Sequence, residues 1–296
     1  MANTATINKT AAAPKKKKKM GAQVLKRLWD IPTARFGLFI LVLLVVLSLV
    51  SPLICRWGFD EMDLRHINEG PTSRHFFGTD ALGRDCLSRL LYGGRYSLGL
   101  GFGSCVISTV AGLILGSVAG YFGGWTDNII LRACELIQAI PSNLLAVIIS
   151  ATFGGGFFTT VVALSIGGIP GGTRILRAQI LSVRQEEYIE AAQSVNCSSG
   201  RIMFRHILPN VLSPVIVSTT MGMGNTIMMA AGLSFIGLGV QPPTPEWGAM
   251  LSEGRNVIRN YPHLALFPGL FIFITVLCFN LFGDGLRDAI DPKLKK

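Results

Sequence analysis

SVRQEEYIEAAQSVNCSSGRIMFRHILP, residues 182–209, is the longest polar, charged segment in the second half of an otherwise apolar chain. It reads as two short helices joined by a turn. Ser182 is a good N-cap, and Gln185 three residues on completes a capping box. Nothing between Val183 and Val195 breaks a helix. Asn196 stands where a left-handed residue ends a helix, a conformation that Asn tolerates best after Gly. Ser198 or Ser199 caps a second short helix, which Pro209 closes off at Leu208. Between Glu190 and Val195 the side chains are small: Ala191, Ala192 and Ser194. A short amphipathic helix with a small-residue face, held between two membrane spans, suits another protein's groove. On pattern alone the alternative is a solvated loop that only joins two spans.

The surroundings are those of a membrane protein. Of 296 residues, 50% are hydrophobic and 15% charged, with a mean hydropathy of +0.48; a soluble domain carries about 25% charged residues. The net charge of +10 could suggest nucleic acid, but all ten lysines lie in the two tails: Lys9, Lys15 to Lys19, Lys26, Lys293, Lys295 and Lys296. Cys55, Cys86, Cys105, Cys134, Cys197 and Cys278 are scattered without a CxxC pair. They read as small hydrophobes, neither a disulfide framework nor a metal site.

Working outward, six spans emerge. Residues 1–35 form a basic tail whose Lys15–Lys19 run is too charged to pack, with Trp29 as an interfacial anchor. Residues 36–55 run without a charge for the length of a bilayer crossing, too long for a cleaved signal peptide. Residues 56–95 are polar, with six Arg against six acids, and include a short surface helix over Asp85–Tyr92. The Gly78-Thr79-Asp80 and Gly83-Arg84-Asp85 sequences read as a capped turn rather than an anion site. Span two, 97–122, carries Gly112, Gly116, Gly120 and Gly124, a stripe that suits close helix packing better than a substrate groove. Span three, 129–152, is interrupted by Pro141, and Arg132 can pair with Glu135. Span four covers 157–173. Span five, 210–236, has Met221, Met223, Met228 and Met229, a stripe that reads as adaptable packing before it reads as a lining for peptide. Span six covers 264–283.

Charge orients these spans. The N-terminal tail has nine basic residues against one acid, and Gly172–Asn210 has five Arg against three acids, while the two long opposite segments are neutral. The positive-inside rule places both termini and the 182–209 loop in the cytoplasm. Several classes of function drop out. No Gly-Lys dipeptide exists, so the chain has no phosphate loop and is not the ATPase. The span centres carry no Asp, Glu, Lys or Arg, which argues against an ion-coupled carrier. His66, His75, His206 and His263 are far apart without HExxH spacing, which argues against a metalloenzyme. A passive channel remains, and it would not need the loop.

Glu190-Ala191-Ala192, the turn at Asn196 and Ile207-Leu208-Pro209 resemble the EAA loop of bacterial ABC-importer permeases. The family usually has Gly at that turn, and Asn is the second choice for the same backbone shape. GTDALGRDCLSRLLYGGRYSL, GLSFIGLGVQPPTPEWGAML and FNLFGDGLRDAIDP join the loop in resembling the second permease of dipeptide/oligopeptide/nickel ABC importers. The resemblance implies an all-α membrane protein with six transmembrane helices, the type I importer fold and a cytoplasmic coupling helix. It divides the chain into a cytoplasmic tail (1–35), the first helix and an extracytoplasmic segment (36–95), a five-helix permease domain (96–285, with the EAA loop at 182–209) and a cytoplasmic tail (286–296). Glu190, Ala191, Ala192, Asn196, Ile207, Leu208 and Pro209 then couple the chain to the ATPase. The implied partners are a homologous permease, two cytoplasmic ATP-binding subunits, an extracytoplasmic binding protein and the inner-membrane bilayer. ATP and Mg would be bound by the partner subunits, with no cofactor, metal or catalytic residue in this chain. Di- or oligopeptide is the first choice of substrate; nickel or an oligosaccharide is the alternative.

Overall fold

The computed structural model describes residues 20–290. The Lys15–Lys19 run and Lys293, Lys295 and Lys296 lie outside the described residues. Within them the chain is helical, with no strand. In order the helices are α1 (Met20–Asp30), α2 (Pro32–Ile54), α3 (Cys86–Phe122), α4 (Gly124–Gln138), α5 (Ser142–Phe153), α6 (Phe157–Arg184), α7 (Glu187–Ser194), α8 (Ser199–Ile202), a π-helical segment (Met203–Ile207), α9 (Leu208–Phe235), α10 (Trp247–Arg255) and α11 (His263–Ile290).

By length and composition α2, α3, the continuous Ser199–Phe235 helix and α11 can each cross a membrane. The α4–α5 pair adds a fifth crossing if the two count as one span. The sixth expected span falls in α6, which is 28 residues long but diluted by glycine and hydroxyl side chains. Its setting explains the composition. α6 packs against α3, α4, α5 and α9, and its Thr160, Ser165 and Thr173 hydroxyls donate to carbonyls within the helix at 2.6–2.9 Å. Small and hydroxyl side chains let neighbouring helices approach α6 closely, while its Phe158, Val162 and Ile175 stay exposed.

Several expected boundaries moved. The short helix near residue 85 and span two are one 37-residue helix, α3, capped by Asp85, whose carboxylate accepts the Ser88 N–H at 2.8 Å. Pro141 does not merely kink span three: α4 and α5 are separate helices bent by 77°. The N-terminal tail contains α1, which Ile31, extended before Pro32, separates from α2. Inside α2, Pro52 has no N–H to offer the Ser48 carbonyl, and Arg95 of α3 supplies that bond through Nε at 2.7 Å.

The glycine stripe packs helices, as expected, but over three positions. A Cβ on Gly112, Gly116 or Gly120 would lie 2.8–3.1 Å from atoms of α6 between Gly172 and Ile180. Gly124 is different: with φ +56° and open space around it, it belongs to the turn between α3 and α4.

Opposite ends of this bundle carry two polar connections. Residues 56–85 fold with α10 into a cap. Asp80 Oδ1 accepts the Leu82 and Arg84 N–H groups at 2.8 and 3.0 Å, and Oδ2 accepts Arg84 Nε at 2.7 Å and an Arg89 N–H. Arg89 also donates to both oxygens of Glu253 on α10 at 2.9 and 3.3 Å. His75 meets Asp85 at 2.9 Å. Glu246 caps α10, and its second oxygen accepts the Ser97 hydroxyl of α3 at 2.8 Å. The capped-turn reading of residues 78–85 therefore holds.

Candidate functional site

The 182–209 loop is assembled differently from its first reading. Ser182 caps nothing; it lies in the last turn of α6, where its carbonyl accepts the Gln185 N–H at 3.3 Å. The chain breaks at Glu186 (φ −76°, ψ 139°), and α7 follows with Glu187 and Glu190 in its first turn, where the helix dipole favours acids. Asn196 is left-handed at φ 58°. Its N–H donates to Gln193 at 2.9 Å and the Cys197 N–H donates to Ala192 at 3.1 Å, the paired bonds of a Schellman ending. Asn196 is thus the turn residue its sequence position suggested.

Pro209 does not close a second helix. α8 passes through the π-helical segment straight into α9, with the Leu208 N–H donating to Met203. A proline cannot make the α-helical bond and its ring crowds the carbonyl four residues back; the wider π register accommodates both. The Asn210 side chain donates to the His206 carbonyl at 2.6 Å and to the Tyr188 hydroxyl at 3.2 Å, tying α9 back to α7.

The loop has its own small core. Ile189, Ile202, Met203 and Ile207 are buried with Ile180 of α6 and Val211 of α9, and Ala192, Cys197 and Leu208 pack against them. The sequence-predicted residues therefore divide. Glu190, Ala191 and Asn196 point outward, and Pro209 is exposed on the first turn of α9. Ala192 is half-buried against the core, Leu208 joins it from the side, and Ile207 is fully buried. Two exposed apolar residues had not been singled out: Val195, 74% exposed, and Phe204, 75% exposed. Val195 had a signal, since Ile189 and Ala192 at i and i+3 share one face of α7 and leave another to Ala191 and Val195; Phe204, in the π-helical segment, had none. Among the described residues Glu186, Glu187, Glu190, Arg201 and Arg205 form no ion pair. The loop thus presents an acidic helix start, a small-residue face and two apolar tips on a rigid base.

Two polar contacts tie the end of α6 next to that base to neighbouring helices. Arg177 of α6 makes a two-pronged ion pair with Asp127 of α4, both distances 2.5 Å. The Arg184 guanidinium lies 6.0 Å from the ring centre of Tyr121 on α3.

Above the loop, α3, α5, α6 and α9 enclose a cleft of about 270 Å³ whose lining contains no Asp, Glu, Lys or Arg. Ser108 and Ser218 turn their hydroxyl hydrogens toward the Ser165 and Val215 carbonyls at 2.9 and 3.0 Å, and Thr109 and Thr219 bond each other at 2.9 Å. Their oxygens keep acceptor capacity in a site without fixed charge. A Cβ on Gly222 would meet nothing within 4 Å, so the cleft is open on that side.

Comparison with known proteins fits this geometry. Residues 112–296 match the family described as "Binding-protein-dependent transport system inner membrane component", and residues 19–71 match the "N-terminal TM domain of oligopeptide transport permease C". The chain is 47% identical over 259 residues to the Glutathione transport system permease protein GsiD of Pectobacterium atrosepticum, covering 88% of this chain and 86% of that protein. It is 42% identical over 273 residues to the Dipeptide transport system permease protein DppC of Alkalihalophilus pseudofirmus, covering 92% and 90%. Among solved structures, an inward-facing form of the MetNI methionine ABC transporter superposes with a TM-score of 0.56 at 18% identity, over 69% of this chain and 98% of that one. That likeness establishes the fold.

Proposed function

The chain belongs to the family of binding-protein-dependent transport system inner membrane components, a membrane permease of an ABC importer and not itself an enzyme, and on that premise we propose how it works and what it carries. The importer moves di- or oligopeptides. The relatives named for dipeptide and glutathione transport support this reading, since both cargoes are short amide-linked compounds with amide N–H and C=O groups. So does the cleft: hydroxyl oxygens can accept backbone N–H groups, and the lack of fixed charge leaves no trap for a charged side chain. The chain crosses the membrane six times, with α4–α5 as one crossing and α6 as another, and keeps both termini in the cytoplasm. A homologous permease completes the path, two ATP-binding subunits carry the ATP and Mg, and an extracytoplasmic protein delivers the peptide. The domain division at 35, 95 and 285 belongs to the same reading, with α1 inside the first segment, although position 35 falls inside α2, 95 inside α3 and 285 inside α11.

One observation carries the coupling assignment. The loop holds Glu190, Ala191 and Val195 outward on a base of its own buried residues. Such a helix can enter a cleft on an ATP-binding subunit and transmit movement through Ile180 and Arg177 to α6 and α4. Ala192 is unsuitable as a probe, because a bulky side chain there would disturb the loop's own packing. Ala191→Trp is suitable. It should overpack the docking contact by about 1–3 kcal/mol, weakening assembly with the ATP-binding subunits roughly ten- to a hundredfold. In proteoliposomes holding the complete importer, dipeptide uptake and binding-protein-stimulated ATP hydrolysis should fall together while the two permeases remain paired. Unchanged uptake and hydrolysis would make the loop a connector.

Orientation has its own test. Cys86 is buried, so single exposed cysteines are needed, at Phe76 in the cap and Val195 in the loop, with Cys55 and Cys197 replaced. An impermeant thiol reagent applied from outside should label Phe76→Cys and spare Val195→Cys; the reverse would invert the topology.

A further inference from the structure

On the reading that a second permease completes the path, we propose that Met229 of α9, with Leu164 of α6, seals that path near its extracytoplasmic end. A second cleft, of about 330 Å³, runs along α5, α6 and α9, and its lining includes Asn143, Val147, Met228, Gly232 and Ile236. It shares two residues with the hydroxyl-lined cleft, Leu164 and Met229. Those two side chains therefore stand where one cleft ends and the other begins. Leu164 is buried in an apolar cluster with Ala146, Ala230 and Leu233, and Met229 packs against that cluster.

Position along α9 tells which end the seal closes. The helix starts at Leu208, beside the coupling loop, and ends at Phe235. At the helical rise, Met229 stands about 32 Å from the first and about 9 Å from the second. The hydroxyl-lined cleft reaches toward the loop as far as Val215, so it is the inner one, and the second cleft reaches outward to Ile236. Neither lining contains Asp, Glu, Lys or Arg, so closure between them works by bulk and by exclusion of water, as in a hydrophobic constriction. The side chain suits the task. Methionine is unbranched with three rotatable bonds, and it can swing aside while the helix stays in place. The methionines of α9 divide accordingly. Met221 packs on α11, where a Cβ on Gly283 would lie 2.6 Å from its side chain. Met228 is exposed, and it lines the outer cleft together with Met229. The facing half of the seal belongs to the second permease.

Two glycines flank the seal and make it testable. Gly222 lines the inner cleft and Gly232 the outer one, and a Cβ on either would meet nothing within 4 Å. The complete importer, in right-side-out membrane vesicles without ATP, carries a single new cysteine at one of them. Cys55, Cys105 and Cys197 of this chain are replaced by Ala, because Cys105 lines the inner cleft and the other two are partly exposed. An impermeant thiol reagent outside should label Gly232→Cys and spare Gly222→Cys. Adding Met229→Ala should raise labelling of Gly222→Cys roughly tenfold or more, because removing a side chain of this size leaves a gap. Met229→Leu, which keeps the volume, should leave Gly222→Cys protected. Ile227→Ala should do the same: it loosens α9 where Ile227 packs on Gly101 of α3, and Ile227 lines neither cleft. Equal labelling of the two cysteines with Met229 in place would overturn the seal. So would protection that survives Met229→Ala, or protection lost equally in Ile227→Ala. Labelling of Gly222→Cys alone would overturn the topology and the extracytoplasmic placement with it. No cargo, binding protein or ATP hydrolysis enters the measurement, so its failure leaves the peptide and coupling readings untouched.

Discussion

The cap and the 182–209 loop are both polar connections between apolar helices, and both contain acids and arginines. They dispose of those charges in opposite ways. In the cap, Asp80, Arg84, Arg89 and Glu253 bond one another, and Asp85 and Glu246 are occupied as helix caps. In the loop, the glutamates and the arginines beyond Arg184 face solvent, and the buried residues are aliphatic. Charges satisfied internally hold a shape. Charges left outward on a firm apolar base are available to a partner. The difference separates a structural connection from a docking one where composition does not.

Replacing one residue at a time should break or sharpen this contrast. The largest effect belongs to Arg89→Ala. Arg89 is buried between Asp80 and Glu253, and removing one partner of a buried ion group costs about 3–5 kcal/mol. Thermal unfolding of the detergent-solubilised protein should show a large loss of stability; a midpoint unchanged within error would mean that the cap network holds nothing together. Next comes Ile189→Ala, which opens a cavity in the loop core at a cost of about 2–5 kcal/mol. Because that core lies at the end of the bundle, limited proteolysis should show the loop opening while the spans stay protected. Global unfolding instead would show that the loop core is continuous with the bundle.

Asn196→Val is smaller. A β-branched side chain in the left-handed conformation costs about 1–2 kcal/mol, whereas Asn196→Gly should be neutral or slightly stabilising. Stimulated ATP hydrolysis should fall in the first and persist in the second; equal activity in both would show that the turn's shape is irrelevant to coupling. The smallest stability effect is expected for Glu190→Ala, within about 0.5 kcal/mol for an exposed site, yet it should still reduce stimulated hydrolysis by removing an outward acid. A variant that destabilises the protein without touching hydrolysis would move Glu190 from the docking face to the structure.

Much of this was legible in the chain itself. The apolar runs at 36–55, 97–122, 210–236 and 264–283 mark crossing helices because a bilayer demands length and hydrophobicity together. The left-handed Asn196 and the packing role of Gly112, Gly116 and Gly120 were readable because each rests on local backbone or side-chain size. The lack of a phosphate loop and of charge at the span centres argued, without any coordinates, against ATP-hydrolysing and ion-coupled readings.

What tertiary structure decided was which neighbour each residue meets. Ser182 has the chemistry of an N-cap, but α6 continues through it because Ile180 and its neighbours pack on the loop core and carry the helix on to Arg184. Pro209 signals a helix end, but the π register absorbs it and α9 follows without a break. Ala191 and Ala192 are chemically identical and adjacent; helical period puts them on different faces of α7, and the position of Ile202 and Ile207 decides that the Ile189–Ala192 face is the buried one. Local sequence sets what a residue can do in a helix, since propensity, capping and period act over a few residues. Whether a face is buried depends on a partner far along the chain, and no local pattern encodes that distance.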